Sequence, residues 1–166
     1  LVLEHARAGE ESATALLERL GRDGREVPVR LALRDLLERV ARTVRPVARH
    51  AGVRLLVEAG DGFVVRARPG ELAQVLLNLA RNAIGSYVRR GTGTGEPLVK
   101  LVARGDGRRV LVEAIDNAGG VSPAQVPRLF RLGRSGRGST GVGLYLARCL
   151  AERNGGSFCA TLRAAL

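Results

Sequence analysis

Three short stretches of this chain combine residue types and spacings that could do chemistry. Gln74, Asn78, Asn82 and Gly85 follow one another at steps of three and four, which places them on one stripe of a helix. Asn is a poor helix former. Amide oxygens one turn apart can nevertheless hold a magnesium ion or order its waters around phosphates. Two solvent-facing Asn on an ordinary amphipathic helix would leave the same pattern. The second stretch is Asp116-Asn117-Ala118-Gly119-Gly120, directly after the apolar run Val110–Ile115. A carboxylate at a strand end can accept a hydrogen bond from the amino group of a base, and the glycines let a ligand approach the backbone. A plain turn uses the same residue types. The third is Ser135-Gly136-Arg137-Gly138-Ser139-Thr140-Gly141-Val142-Gly143-Leu144, running into a helical pattern. Its glycines expose backbone N–H groups, and the helix start adds a positive dipole end, so together they can cradle a phosphate.

The surrounding pattern shows what would hold these stretches. A helix over about 71–88, opened by Pro69-Gly70, carries the Asn stripe beside an apolar face of Leu72, Val75, Leu76, Leu79 and Ala83. An earlier helix over 33–50 has Leu33, Leu36, Leu37, Val40, Val44 and Val47 on one face, with Pro46 as a candidate kink. Short strands are expected over Val27–Leu31, Val53–Ala59 and Phe63–Ala67, the last two joined by Gly60-Asp61-Gly62. Leu98–Arg104 and Arg108–Ile115 read as a hairpin around Gly105-Asp106-Gly107. Residues 116–140 read as a long loop with a short helix near 123–130. A last helix over 142–153 ends at Asn154-Gly155-Gly156, and a final strand is expected from Ser157. Residues 1–20 keep a rough helical stripe, broken at Gly21–Gly24. The elements predict an α/β (α+β) two-layer sandwich, with a mixed, mostly antiparallel sheet against three helices and one partial helix in front. Strands and helices do not alternate regularly, which argues against a doubly wound parallel sheet.

Bulk properties narrow the function classes. With 166 residues and 45% hydrophobic content, the chain is one ordinary domain with enough apolar material for a core. No stretch reaches the roughly 18 uninterrupted apolar residues of a membrane helix. The chain begins at Leu1 rather than Met and shows no signal peptide pattern. A trimmed fragment of a longer parent is expected, and the missing membrane segment says nothing about whether that parent is membrane-anchored. The net charge is +11, and of the 27 basic residues Lys100 alone is Lys. The arginines are scattered and only 3% of residues are aromatic, so a nucleic-acid partner is not expected. Cys149 and Cys159 form no CxxC pair and read as small apolar residues in a reducing, cytoplasmic compartment. Gly136, Gly138 and Gly141 match GxGxxG, but no strand directly precedes them and too little chain follows for a dinucleotide fold. No Gly-Lys-Ser/Thr exists for a Walker-type loop.

The order of the stretches says more than each alone. An Asn helix, a strand hairpin, an Asp-Gly turn, a Gly-rich lid and a helix start make up the layout of the GHKL ATPase superfamily. Asn78-Leu79-Ala80-Arg81-Asn82-Ala83 resembles its N box, Asp116 to Gly120 its G1 box, Phe130 its F box, and Thr140-Gly141-Val142-Gly143-Leu144 its G2 box. The resemblance covers residues 27–166. Gyrase-like, mismatch-repair and chaperone members carry a Glu one turn before the metal-binding Asn, and here that position is Asn78. The Asn-x-x-x-Asn form looks like the catalytic ATP-binding domain of sensor histidine kinases.

This resemblance implies a Bergerat-type ATP-binding fold over 25–166, with 1–24 as the end of the second helix of a dimerisation hairpin and its linker. It implies ATP and Mg2+ as cofactors. Asn82 would hold magnesium, and Asn78 would be the catalytic residue that positions metal or phosphates. Asp116 would read the adenine amino group. Gly120, Phe130, Gly138, Thr140, Gly141, Gly143 and Leu144 would complete the nucleotide site. Partners would be the upstream phosphoacceptor helices, a response regulator, and a second copy in a full-length homodimer. His5 lacks the acidic and basic neighbours of a family acceptor, so the acceptor is expected upstream; His50 reads as a helix C-terminal residue. The sequence departs from the family pattern at Gly85, where a Lys or Arg is common, and at Ala118 and Ser139, where the boxes have Gly. Arg134 or Arg137 would be the replacement positive charge. The competing readings are a degenerate nucleotide-sensing or partner-binding domain of the same fold, an anti-sigma-type serine kinase, and a basic nucleic-acid binder.

Overall fold

The computed structural model describes residues 26–90, 95–105, 108–129 and 142–160. The expected helix over 1–20 and the positions Phe130, Arg134, Arg137, Gly138, Ser139, Thr140 and Gly141 lie outside the described residues.

The chain first forms strand β1 (Val29–Ala32) and helix α1 (Leu33–His50). Strands β2 (Arg54–Ala59) and β3 (Val64–Ala67) follow, then helix α2 (Pro69–Arg90). The hairpin β4 (Leu98–Gly105) and β5 (Val110–Asp116) leads to a 3-10 turn at Pro123–Arg128 and to helix α3 (Gly143–Arg153). No described helix is long and apolar enough to cross a membrane.

Helix α1 forms where its apolar period predicts. Leu33, Leu36, Leu37, Val40 and Val44 are all buried, together with Ala41 and Ala48. Val47, expected on that face, is 53% exposed, and Ala48 takes the inward place in the last turn. Pro46 does not break the helix: it is exposed, so the carbonyl it leaves unbonded faces water. With Ala32 at the N-cap, no side chain caps α1. The Leu33 N–H instead donates to the Phe63 carbonyl at 2.9 Å. The Arg34 guanidinium donates to the Ala59 carbonyl at 2.7 and 3.1 Å and meets Asp61 at 3.0 Å, which fixes the turn between β2 and β3.

That turn does not make a hairpin. β3 pairs antiparallel with β1, in register Val29 with Ala67, while β2 pairs in parallel with β4, in register Arg54 with Leu98. β4 and β5 form the expected antiparallel hairpin, so the sheets are mixed and mostly antiparallel. Phe63 joins the two sheets. Its ring lies where a Cβ on Gly105 would approach to 2.9 Å, so β4 must end in glycine there.

Helices α1 and α2 cover one face of the β2–β4–β5 sheet, burying Leu76, Ala80, Ala83, Ile84 and Tyr87 of α2 against Val99, Leu101 and Ala103 of β4. Side chains such as Leu37, Leu76 and Leu101 are essentially fully buried, each stabilising the fold by about 1.5–3 kcal/mol. A second flank of α2, with Val75 and Leu79, packs on Leu146, Ala147 and Leu150 of α3. Helix α2 is thus apolar on two sides, wider than the single stripe its spacing predicts. The strand expected from Ser157 is not formed over Ser157–Ala160, and Cys159 within it is exposed rather than buried; Cys149 is half-buried, and both thiols are free.

Candidate functional site

Helix α2 presents the Asn stripe at the junction with α3. Gln74 Nε2 donates to Asn78 Oδ1 at 3.1 Å, as their one-turn spacing allows. The Asn78 side chain lies beside the first turn of α3: a Cβ on Gly143 would sit 3.9 Å from its amide. Asn78 Nδ2 is buried and has no hydrogen-bond partner among the described residues. A buried donor left unmade costs about 1–3 kcal/mol, so this atom marks a place where an acceptor belongs. Asn82, one turn on, is exposed at the same helix surface, and its carbonyl accepts from Ser86 Oγ at 3.0 Å. Gly85 is half-buried a turn further along.

Helix α3 starts with no side-chain cap; the Leu146 N–H to Val142 carbonyl bond at 2.8 Å is its first turn. The earliest N–H groups of a helix have no partner within it. Exposed Gly143 and half-buried Leu144 carry such groups next to Asn78. Backbone donors and a dipole end thus stand beside the Asn78 side chain, whose Cγ and Oδ1 are the atoms nearest Gly143, and a helix start of this kind suits an anion.

The Asp116 carboxylate stands half-buried at the end of β5. Its Oδ1 accepts from the Ala118 N–H at 3.1 Å, which turns the chain sharply out of the strand. Gly119 and Gly120 then adopt φ of +81° and +65°, conformations that other residues rarely take. Ala118 does not: no described non-glycine residue has positive φ, and the Ala118 methyl is buried in the main core. The departure from glycine at this position thus costs the backbone nothing.

Tyr87, which sequence reasoning passed over, and Asn117, which it read only as part of the turn, hold this turn in place. The Tyr87 hydroxyl, at the far end of α2, contacts Asn117 Oδ1 and the Leu98 carbonyl, the latter at 2.7 Å. It accepts from the Leu98 N–H at 3.1 Å and the Asn117 N–H at 2.9 Å. Asn117 Nδ2 donates to the Glu96 carbonyl at 3.0 Å. The hydroxyl ties α2 to the start of β4 and the end of β5. The available signal was that Tyr87 is one of only two tyrosines and lies on the helix that carries the Asn stripe.

Among the described residues no group of three or more His, Cys, Asp or Glu gathers as a metal cage. A divalent ion here would have to be held by amide oxygens together with ligand oxygens. That donor set suits magnesium, which keeps waters and binds through few protein ligands plus phosphates. Asn82, exposed beside the donor cluster, fits it. Asn78 fits less well as a direct ligand, because Gln74 already occupies its oxygen and the orphaned atom is a donor.

Comparison with known proteins places this arrangement. The family model described as "Histidine kinase-, DNA gyrase B-, and HSP90-like ATPase" matches residues 67–164. The Escherichia coli K12 sensor protein TorS is 32% identical over 133 residues, covering 77% of this chain and 14% of that protein. The Salmonella typhimurium sensor histidine kinase ZraS is 29% identical over 128 residues, covering 75% of this chain and 26% of that protein. The chain thus spans about a quarter or less of these relatives' length. Among solved structures, the catalytic domain of histidine kinase ThkA superposes with a TM-score of 0.65 at 22% identity, covering 76% of this chain and 81% of that one. Full-length ShkA in complex with AMPPNP gives a TM-score of 0.65 at 27% identity, covering 77% of this chain and 26% of that one. The match takes in α2 with its Asn stripe, the Asp116 turn and the start of α3, and on it the chain belongs to the family of histidine kinase-, DNA gyrase B- and HSP90-like ATPases.

Proposed function

We propose that this chain is the ATP-binding catalytic domain of a two-component sensor histidine kinase. It would bind Mg-ATP and pass the γ-phosphoryl group to a histidine on a helical hairpin upstream. The observation that carries the reading is an Asn78 side chain that lies beside the uncapped start of α3 and whose buried Nδ2 has no partner among the described residues. A phosphate oxygen supplies the acceptor that this donor lacks. Asn78 Nδ2 would orient the phosphate chain, and the Gly143 and Leu144 N–H groups would share its charge. Asn82 would hold magnesium, which would neutralise phosphate charge when bound. Asp116 would accept from the adenine amino group, while Gly120 lets the base approach the backbone. Phe130, Gly138, Thr140 and Gly141 complete the site by resemblance to the family boxes.

Transfer breaks the bond between the γ-phosphorus and the ADP oxygen and forms a phosphorus–nitrogen bond to the histidine. That reaction needs positioning and charge neutralisation more than a nucleophile from this chain. The absence of a Glu one turn before Asn82 supports the kinase branch, since no carboxylate stands at Asn78 to activate water. The phosphorylated hairpin would in turn serve a response regulator, and the parent kinase would dimerise through that hairpin.

Calorimetric titration with Mg-ATP tests the reading, with Asp116→Asn and Asn82→Ala run alongside. Wild-type binding that collapses in Asp116→Asn and loses its magnesium dependence in Asn82→Ala is expected. Adding the purified upstream hairpin should then yield acid-labile phosphohistidine. Binding without transfer would leave a nucleotide-sensing domain, and no binding at millimolar ATP by the folded chain would overturn the reading.

A further inference from the structure

The ends of α2 and α3 away from Asn78 are stitched together by a cluster that the nucleotide site does not use. Glu71, in the first turn of α2, is the one buried charged side chain among the described residues, 7% exposed. Its Oε2 accepts from Asn154 Nδ2 at 2.7 Å, and its Oε1 lies 3.2 Å from Arg153 Nε. Asn154, at the C-cap of α3, also donates to the Leu150 carbonyl at 2.8 Å, and its Oδ1 accepts the Arg68 N–H at 2.8 Å. The Glu26 carboxylate accepts the Gly70 N–H at 3.0 Å. Arg68 closes the cluster, donating to the Glu26 carbonyl at 3.2 Å and standing 3.9 Å from Glu71 Oε2.

The two helices run antiparallel. One end of the pair holds this cluster, the middle is the apolar seam of Val75, Leu146, Ala147 and Leu150, and the other end is Asn78 beside Gly143. An apolar seam resists separation, but its burial energy is largely non-directional. The hydrogen bonds of a buried carboxylate are directional and short, and leaving such a charge unpaired is costly. The cluster is therefore the part of the contact able to fix how far α3 extends along α2.

We propose that Glu71 and Asn154 form an axial stop that sets the distance between the start of α3 and Asn78, and so tune the phosphate end of the site without touching the ligand. They are positioning residues, and the proposal rests on the nucleotide-site reading only for its functional consequence.

The test uses the full 166-residue chain and the variants Glu71→Gln, Asn154→Ala and the double variant Glu71→Gln with Asn154→Asp. In the double variant the Gln amide donates to the Asp carboxylate, which restores that one bond with reversed polarity, while the Leu150 carbonyl loses its donor and Arg153 its Glu71 partner, so the recovery is partial. The first readout needs no nucleotide: NMR resonances of the Asn78 side-chain amide and the Gly143 N–H. Both should shift in the single variants, move back towards wild type in the double variant, and leave the Gly119 N–H unchanged. The second readout is the ratio of ATP to adenosine affinity, which should fall about tenfold in each single variant, equivalent to ~1.4 kcal/mol, and recover in part in the double. A merely structural role lowers melting temperature and weakens both ligands together. Single variants with unmoved Asn78 and Gly143 resonances overturn the axial stop whether or not ATP binds. If the resonances move as expected but the wild type binds no nucleotide, the stop stands and the function reading fails.

Discussion

Replacing Tyr87 with Phe removes one oxygen and leaves the ring in place. Tyr87 is 6% exposed, so the variant opens no sizeable cavity and the loss is confined to hydrogen bonds. A hydroxyl has one proton and two lone pairs. At any moment it donates once, to the Leu98 carbonyl or Asn117 Oδ1, and accepts twice, from the Leu98 and Asn117 N–H groups. The Leu98 N–H keeps a second acceptor in Asn117 Oδ1 at 3.0 Å. The variant loses the bonds to the Asn117 N–H and to one carbonyl, at about 0.5–1.5 kcal/mol each. For a domain of this size a loss of about 2 kcal/mol lowers the melting temperature by roughly 4–8 °C. Calorimetric melting measures it directly. Asn117→Ala should cost a similar amount, and the two changes should fall well short of additive, because they break one network. ATP affinity should also weaken a few fold, since Asn117 adjoins Asp116. A Tyr87→Phe melting temperature within a degree of wild type, or full additivity with Asn117→Ala, would refute the account of the hydroxyl as the tie between helix and turn.

Other substitutions probe separate links. Gly143→Ala should leave melting unchanged or slightly raised, since among the described residues its methyl meets nothing closer than 3.9 Å and Ala favours helix by up to ~1 kcal/mol. The same methyl fills the gap beside Asn78, so Mg-ATP titration should show clearly weaker binding; unchanged affinity would place the phosphates elsewhere. Gly119→Ala forces a side chain into a φ of +81° with open space around it, so chemical denaturation should report about 1–2 kcal/mol of pure backbone strain. Ala118→Leu should destabilise by about 1–3 kcal/mol through overpacking, as its methyl is already 2% exposed in the core, while Ala118→Gly should be far milder in the same melts.

How much could be read beforehand differs by element. Helix α1 was legible to the residue, because Leu33, Leu37, Val40 and Val44 repeat at helical spacing and Gly52 stops the pattern. The β4–β5 hairpin was equally plain from a short glycine turn between alternating strands. The partners of β2 and β3 were not legible. Gly60-Asp61-Gly62 looks like a hairpin turn locally, yet β2 finds β4 and β3 finds β1, pairings with strands far along the chain that a local turn does not specify. At the site, Asn78, Asn82 and Asp116 stood out because their residue types are odd for their positions. Gly143 beside Asn78 emerged only when α2 and α3 were packed together. Tyr87, Asn117, Glu71 and Asn154 stayed hidden for a general reason: each is ordinary where it stands in the chain. Their meaning lies in partners far along the sequence, such as Glu71 with Asn154.

The parallel pairing of β2 with β4 has a kinetic consequence. Parallel neighbours cannot be closed by a tight turn, and here β3 and the whole of α2 intervene between the two strands. The loop-closure entropy must be met before the ladder contributes anything, which slows folding in proportion to how non-local the contacts are. The local units, α1 and the β4–β5 hairpin, can form early, while β2 waits for α2 to dock. Substitutions in the β2–β4 ladder should therefore act chiefly on the unfolding rate, and substitutions at the α2 contact with β4 on the folding rate.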